Sequence, residues 1–134
     1  MAYPITDIRG IGPDTAALLK SEGIRTTIGL LRSAKTPKQR LKLAEMTRTN
    51  SERILGWVTA ADRMRVKGVG WEYSELLRAV GVKTVNELKF RNPEHLVGKM
   101  REANKRNLVR LLPKKQTVER WIESAKKLPT IIRY

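Results

Sequence analysis

The chain has 134 residues, and its 28 Lys and Arg residues against 13 Asp and Glu residues give a formal net charge of +15. It contains no cysteine, which excludes a disulfide framework, a thiolate zinc site and a thiol nucleophile. No segment reaches the roughly 18 apolar residues that a membrane span requires, and the N-terminal residues lack the basic and apolar regions of a secretory signal. We therefore expect a cytoplasmic protein with no membrane partner.

The excess positive charge is spread along the chain. Residues 1–65 carry 12 basic and 6 acidic side chains, and residues 66–134 carry 16 and 7. A field of this sign attracts polyanions, with nucleic acid as the first candidate and an anionic membrane surface as the second. The alternative is a basic protein whose charge serves only its solubility.

The first half of the chain has the pattern of four consecutive helices. N-capping residues or prolines mark their predicted starts at Pro13, Thr26, Thr36-Pro37, and Asn50 or Ser51. Gly23 ends the first helix in the usual C-terminal manner. Helical spacing predicts inward-facing side chains at Ala16, Leu18, Leu19, Ile28, Leu30, Leu31, Leu41, Leu43, Ala44, Met46, Ile54, Leu55, Trp57, Val58 and Ala61.

The second half repeats this series, with helices predicted at residues 71–80, 84–90, 93–104 and 117–128. A shift of 58 positions places residues 8–30 on residues 66–88 without a gap, which indicates a tandem duplication. We predict an all-α fold of two units packed as one body. The first unit would cover residues 1–64 and the second residues 65–128, with a C-terminal tail at 129–134.

Each half contains a Gly-x-Gly sequence before a predicted helix, at residues 10–12 and 68–70. A dinucleotide-binding fingerprint would need a preceding strand and a third glycine. Thr15 and Tyr73 occupy the third-glycine positions, and the surroundings are helical. The sequence therefore argues against a dinucleotide site.

A turn between two helices explains the glycines better. Glycine reaches positive φ at no steric cost and lets a partner approach the main chain. Ile11 and Val69, between the glycines, would point into the core. The N–H groups at the following helix start would then be free to bind a phosphate, and Arg9 and Lys67 would add a positive charge.

The stretches IRGIGPDTAALL and VKGVGWEYSELL resemble helix-hairpin-helix motifs. The wider pattern is similar to the helical N-terminal domain of archaeal recombinases, and the two-copy arrangement resembles a domain-of-unknown-function family built from tandem helix-hairpin-helix units. The resemblance implies a DNA-binding module without sequence specificity, whose hairpin amides hold the backbone across the minor groove. A second hairpin of each unit is expected within residues 45–54 and 104–116, where no Gly-x-Gly occurs, so we predict a structural role there.

The predicted nucleic-acid-binding residues comprise the two turns and nearby positions: Arg9, Gly10, Ile11, Gly12, Thr15, Lys20, Arg25, Lys67, Gly68, Val69, Gly70, Tyr73, Arg78 and Lys83. The outer four cations, at 20, 25, 78 and 83, could instead be solvated helix ends that the helix dipole favours. Trp57 and Trp121 are predicted to lie in the core. Trp71 and Tyr73 could stack on a nucleic acid or pack the two units together, which we favour.

We expect a binding protein and not an enzyme. The chain has one histidine, no paired carboxylates stand out, and we predict no catalytic residue, metal site or cofactor. A nucleoid-associated or repair and recombination accessory protein that binds duplex DNA fits this pattern. A binder of structured RNA or of the ribosome and a protein–protein adaptor remain alternatives, and the oligomeric state stays open.

Overall fold

The computed structural model describes residues 2–134 and confirms the all-α prediction. Short 3-10 helices lie at Ile5–Asp7 and Asn104–Arg106. Within the described chain, no helix is both long and apolar enough to cross a membrane. The eight α-helices are α1 (Pro13–Ser21), α2 (Thr27–Ser33), α3 (Pro37–Met46), α4 (Ser51–Arg63), α5 (Trp71–Ala79), α6 (Val85–Leu88), α7 (Pro93–Ala103) and α8 (Lys115–Lys127).

The predicted helix starts in the first half are confirmed. The side chains of Thr26, Thr36 and Asn50 each accept a hydrogen bond from the backbone N–H three residues later. These bonds satisfy N–H groups that have no partner inside the helix. In the second half α8 begins at Lys115, so Thr117, its predicted first residue, lies inside its first turn.

The buried apolar side chains form two clusters. The first is built from residues 5–64 together with Ile132, and the second from residues 66–125. Helices α2 and α3 pack on α4, α6 and α7 pack on α8, and α4 packs on α5. Trp57 and Trp121 are 5% and 1% exposed, so their predicted place in the core is confirmed. The division into two duplicated units stays a prediction.

Helix α3 differs from the prediction in the face that it buries. Leu41, expected to point inward, is 57% exposed, whereas Arg40 is buried. The Arg40 guanidinium donates to the carbonyl oxygens of Ala34 and Lys35 at 3.1 and 2.9 Å and to that of Arg133 at 2.7 Å. These hydrogen bonds offset the cost of burying a charge, and the register that they fix turns Leu41 to the surface.

Residues 129–134 return to the first cluster. Ile132 is buried in that cluster, and the N–H of Arg133 donates to the carbonyl of Lys35 at 2.8 Å. The tail is therefore part of the packed body and contributes to the core that residues 5–64 form.

Buried charged groups at the end of α4 connect the two halves. Asp62 accepts hydrogen bonds from Arg65, at 3.0 and 2.6 Å, and from the N–H of Val85 at 2.8 Å. Arg63 donates to Ser74 Oγ and to the carbonyl of Lys83, both at 3.0 Å. Burial lowers the pKa of Arg63 to about 10, which leaves it charged at neutral pH. This network holds α5 and α6 against α4, and it thereby fixes the glycine turn that precedes α5.

Candidate nucleic-acid interface

The two Gly-x-Gly sequences form turns of the same conformation, which we name turn A (residues 9–12, before α1) and turn B (residues 67–70, before α5). Gly10 has φ +97° and Gly68 has φ +91°, a region that favours glycine. Ile11 and Val69 are buried, as predicted. The N–H of each of these two residues donates to the carbonyl three residues earlier, at 3.2 and 3.0 Å.

The backbone angles of the second glycine in each turn do not require glycine. Gly12 has φ −82° and Gly70 φ −87°, angles that any residue adopts. A Cβ added to either would meet no atom within 4 Å. Positive φ thus accounts for the first glycine of each pair and not for the second. At Gly12 and Gly70, glycine leaves open space in front of a helix N-terminus.

The helices behind these turns start without a side-chain cap. Gly12 and Gly70 are the N-caps of α1 and α5, and neither offers a side-chain acceptor. By contrast α2, α3, α4, α6 and α7 are all capped by Thr or Asn side chains, while α8 is also uncapped. Within the described residues, eight backbone N–H groups at these helix starts have no acceptor: those of Gly10, Gly12, Asp14, Thr15, Gly68, Gly70, Glu72 and Tyr73.

Charges of both signs border the free amides. Arg9 and Lys67, at the start of the two turns, are exposed. Asp14 and Glu72 lie in the first turn of α1 and α5, where they are favoured by the helix dipole and would oppose a bound anion. An anion placed at either turn would be attracted by the amides and the cation and repelled by one carboxylate.

A buried tryptophan side chain contacts the first glycine of each turn. A Cβ built on Gly10 would lie 3.2 Å from Nε1 of Trp57, and one built on Gly68 would lie 3.3 Å from Nε1 of Trp121. The indole nitrogen of each ring therefore lies directly against the glycine of positive φ. Any larger residue at Gly10 or Gly68 would have to displace the indole.

Turn B has a side wall formed by the longer connection between α7 and α8. The Tyr73 hydroxyl donates to the carbonyl of Leu111 at 2.9 Å, and its ring lies 5.1 Å from that of Trp121. Arg110 and Leu111 border a hollow of ≈ 360 Å³ together with Gly68, Gly70 and Trp71. Tyr73 thus packs within the second cluster and not between the two halves as we favoured, and Trp71 is 48% exposed.

Two of the four outer cations lie at the far ends of the helices behind the turns. Lys20 and Arg78 are at the C-terminal ends of α1 and α5, about 10 Å along the helix from its start, and both are exposed. Arg25 and Lys83 are exposed as well, and their carbonyls accept from the Ile5 N–H at 3.2 Å and from Arg63 at 3.0 Å. The structure thus groups Arg9 to Thr15 and Lys67 to Tyr73, and it separates Lys20 and Arg78 from the helix starts.

A basic hollow of ≈ 760 Å³ beside the end of α5 was not predicted from the sequence. Arg78 borders it together with Lys99, Lys105 and Arg106, and Arg78 also pairs with Glu75 at 2.8 Å. The cluster of basic residues at 99–106 could have drawn attention to this surface. Their convergence with Arg78 depends on how α7 packs on α5, which the pattern does not reveal.

The two loops predicted to replace the second hairpins contain residues of positive φ. Arg48 has φ 58° and Asn107 has φ 55°, and glycine occupies neither position. A side chain at such angles is strained unless it is Asn or Asp. Arg48 and Asn107 are both exposed, and the predicted structural role of these loops stays a prediction.

The described residues offer no ready metal site. Residues 2–134 contain no group of three or more His, Asp or Glu side chains placed to hold an ion. His95 is exposed on α7, and its backbone N–H donates to Asn92 at 3.1 Å. The expectation of no metal and no cofactor stays a prediction.

The chain that joins turns A and B limits how far apart they can lie. Trp57, beneath turn A, is six residues from the end of α4, and turn B begins four residues after that end. Helical rise and extended-chain lengths then limit the separation of the turns to about 30 Å. One turn of B-form DNA measures roughly 34 Å.

Comparison with known proteins places the chain in a family but supplies no activity. Neither the curated proteins nor the solved structures gave a match. A family model described as Domain of unknown function (DUF4332) matches residues 9–128. This range includes both turns and helices α1 to α8. Because this match covers most of the sequence, the chain belongs to the DUF4332 family.

Proposed function

We propose that this protein binds duplex DNA through the phosphate backbone, with little base specificity, and that turns A and B hold the principal phosphates. The free amides before α1 and α5 would donate to phosphate oxygens, and the positive ends of the two helix dipoles would favour the negative charge. Arg9 and Lys67 would supply the nearest side-chain charges. We take both turns to be helix-hairpin-helix elements.

The observation that carries this proposal is the pair Gly12 and Gly70. Backbone angles do not require glycine at either position, and neighbouring atoms do not exclude a side chain. An Asp, Ser or Thr there would cap the helix, as other residues cap five helices of this chain. A partner that approaches the main chain at this point explains why both turns lack a side chain there.

The net charge of +15 supports a polyanion as that partner. Two turns at most about 30 Å apart can contact phosphates of one duplex within a helical turn. Each phosphate contact that releases a counterion contributes about 0.9 to the slope of log affinity against log salt. Contacts from both turns and a few outer cations would therefore make binding steeply dependent on salt.

We propose a binding protein and not an enzyme. Binding of DNA without base specificity suits a cytoplasmic, nucleoid-associated protein or an accessory factor in repair or recombination. The phosphate chemistry of the turns is common to DNA and RNA, so the choice of duplex DNA rests on the helix-hairpin-helix resemblance.

The test is an affinity measurement with duplex, branched and single-stranded DNA and duplex RNA of equal length, at several salt concentrations. The proposal expects tightest binding to duplex or branched DNA and a steep salt slope. Tighter binding to RNA would favour the RNA alternative. Negligible binding to all four at low salt would refute the proposal and favour a protein–protein adaptor.

A further inference from the structure

We infer that the indole N–H groups of Trp57 and Trp121 are phosphate donors in turns A and B, so that each site combines main-chain amides with one buried side-chain donor. This inference rests on the proposed function and adds a residue to each site. The ligand class is a phosphodiester oxygen of a nucleic-acid backbone.

The position of the indole nitrogens is the first observation. Trp57 and Trp121 are more than nine-tenths buried, yet each Nε1 lies against the glycine of positive φ in its turn, 3.2 and 3.3 Å from a Cβ built there. The placement is the same in both halves: α4 brings the indole nitrogen of Trp57 to turn A, and α8 brings that of Trp121 to turn B.

The second observation is that neither indole N–H is satisfied within the protein. Within residues 2–134, Nε1 of Trp57 and Nε1 of Trp121 make no hydrogen bond. The described chain also has no buried side-chain nitrogen or oxygen without a partner. Each Nε1 must therefore reach the surface, although the rest of its ring is covered. A buried Trp usually finds a partner for its N–H. Here the N–H has none in the protein, and its nitrogen lies against the glycine of the turn.

The chemistry of the site favours an anion as the acceptor. The indole N–H is a donor only, and so are the free amides beside it. Arg9 and Lys67 add positive charge. Donors outnumber the single carboxylate at each turn, Asp14 or Glu72, so an oxygen that accepts several hydrogen bonds matches the site, as a phosphate does.

The test replaces Trp57 and Trp121 by Phe, singly and together, which keeps a buried ring and removes the N–H. We expect each single variant to bind duplex DNA roughly tenfold more weakly, the magnitude of one hydrogen bond to a charged group. Because the indole is neutral, the salt slope should stay that of the wild type. Lys67→Ala, by contrast, should lower the slope by about 0.9. Tyr134→Phe is the control, because it removes an aromatic donor from the exposed end of the tail and from neither turn, and it should leave the affinity unchanged.

A measurement on the wild-type protein avoids any dependence on folding of the variants. The Trp57 and Trp121 indole N–H signals in a nitrogen–proton NMR spectrum, assigned through the Phe variants, should move downfield when a short duplex is added. Unchanged affinity of folded Phe variants, or indole signals that do not move, would overturn the inference and leave the amide sites standing. Failure of the wild-type protein to bind any nucleic acid would overturn both this inference and the proposed function.

Discussion

Substitution of Gly12 and Gly70 by Asp should change stability and binding in opposite directions. Both positions have ordinary backbone angles and open space, so Asp fits without strain. As an N-cap, Asp is better than Gly by a few tenths of a kcal/mol, and its charge gains about 0.3–1 kcal/mol from the helix dipole. Gly12→Asp and Gly70→Asp should therefore melt at or slightly above the wild-type temperature.

The same carboxylate should strongly weaken nucleic-acid binding. It would occupy the free amides and place a negative charge about 4 Å from a bound phosphate. Repulsion at that distance costs about 1–4 kcal/mol for effective dielectric constants of 80 to 20. Each single variant should thus lose at least about fivefold in affinity, and the double variant more.

Fluorescence anisotropy with a labelled duplex, between about 50 and 200 mM salt, measures the affinity, and circular dichroism follows the melting. Gly98→Asp is the matched control, because Gly98 is exposed on α7 with no atom within 4 Å of an added Cβ. It changes net charge equally but away from both turns. Equal affinity of the Gly98→Asp protein and a folded Gly12→Asp, Gly70→Asp protein would show that the turns do not hold the phosphates.

Three further predictions concern stability, measured by denaturant unfolding. Gly10→Ala should cost about 1–2 kcal/mol, because alanine is strained at φ +97° and its Cβ would press on Trp57; no loss would mean that the turn relaxes freely. Asp62→Ala should cost about 3–5 kcal/mol, since it breaks a buried ion pair and removes the acceptor of the buried Val85 N–H; a loss below 1 kcal/mol, on the scale of an exposed ion pair, would contradict that account. Ile132→Ala should cost about 2–5 kcal/mol through a core cavity, and an unchanged midpoint would show that the tail is not required.

The sequence allowed the helices to be predicted because their ends are encoded locally. Thr26, Thr36 and Asn50 cap the helices that they were expected to cap, since an N-cap acts on an N–H only three residues away. The same holds for the buried aliphatic residue in each turn, because the pattern of the turn itself places it.

Features that depend on distant segments could not be predicted. The inward face of α3 was wrong at Leu41, because the register of that helix is fixed by Arg40 and a carbonyl 93 residues along the chain. The packing of Tyr73 depends on Leu111 in the longer connection before α8. No local pattern indicates where that connection folds, so the wall beside turn B was missed.

The junction at the end of α4 was missed for a related reason. The charges at 62, 63 and 65 have the pattern of a solvated helix end, and the structure buries all three. Arg63 bonds to Ser74 on α5 and Asp62 to Val85 on α6, while Arg65 pairs with Asp62 itself. These hydrogen bonds make burial of the three charges tolerable. Sequence alone does not show which charges have such partners.

Ile132 has a consequence for how the chain matures during translation. Its side chain completes the hydrophobic cluster of residues 5–64, so that cluster cannot reach its final packing until residue 132 has left the ribosome. The core of residues 5–64 therefore stays incompletely packed while the rest of the chain is synthesised. Long-range closure of this kind slows folding, and it couples the maturation of turn A to the arrival of the last segment.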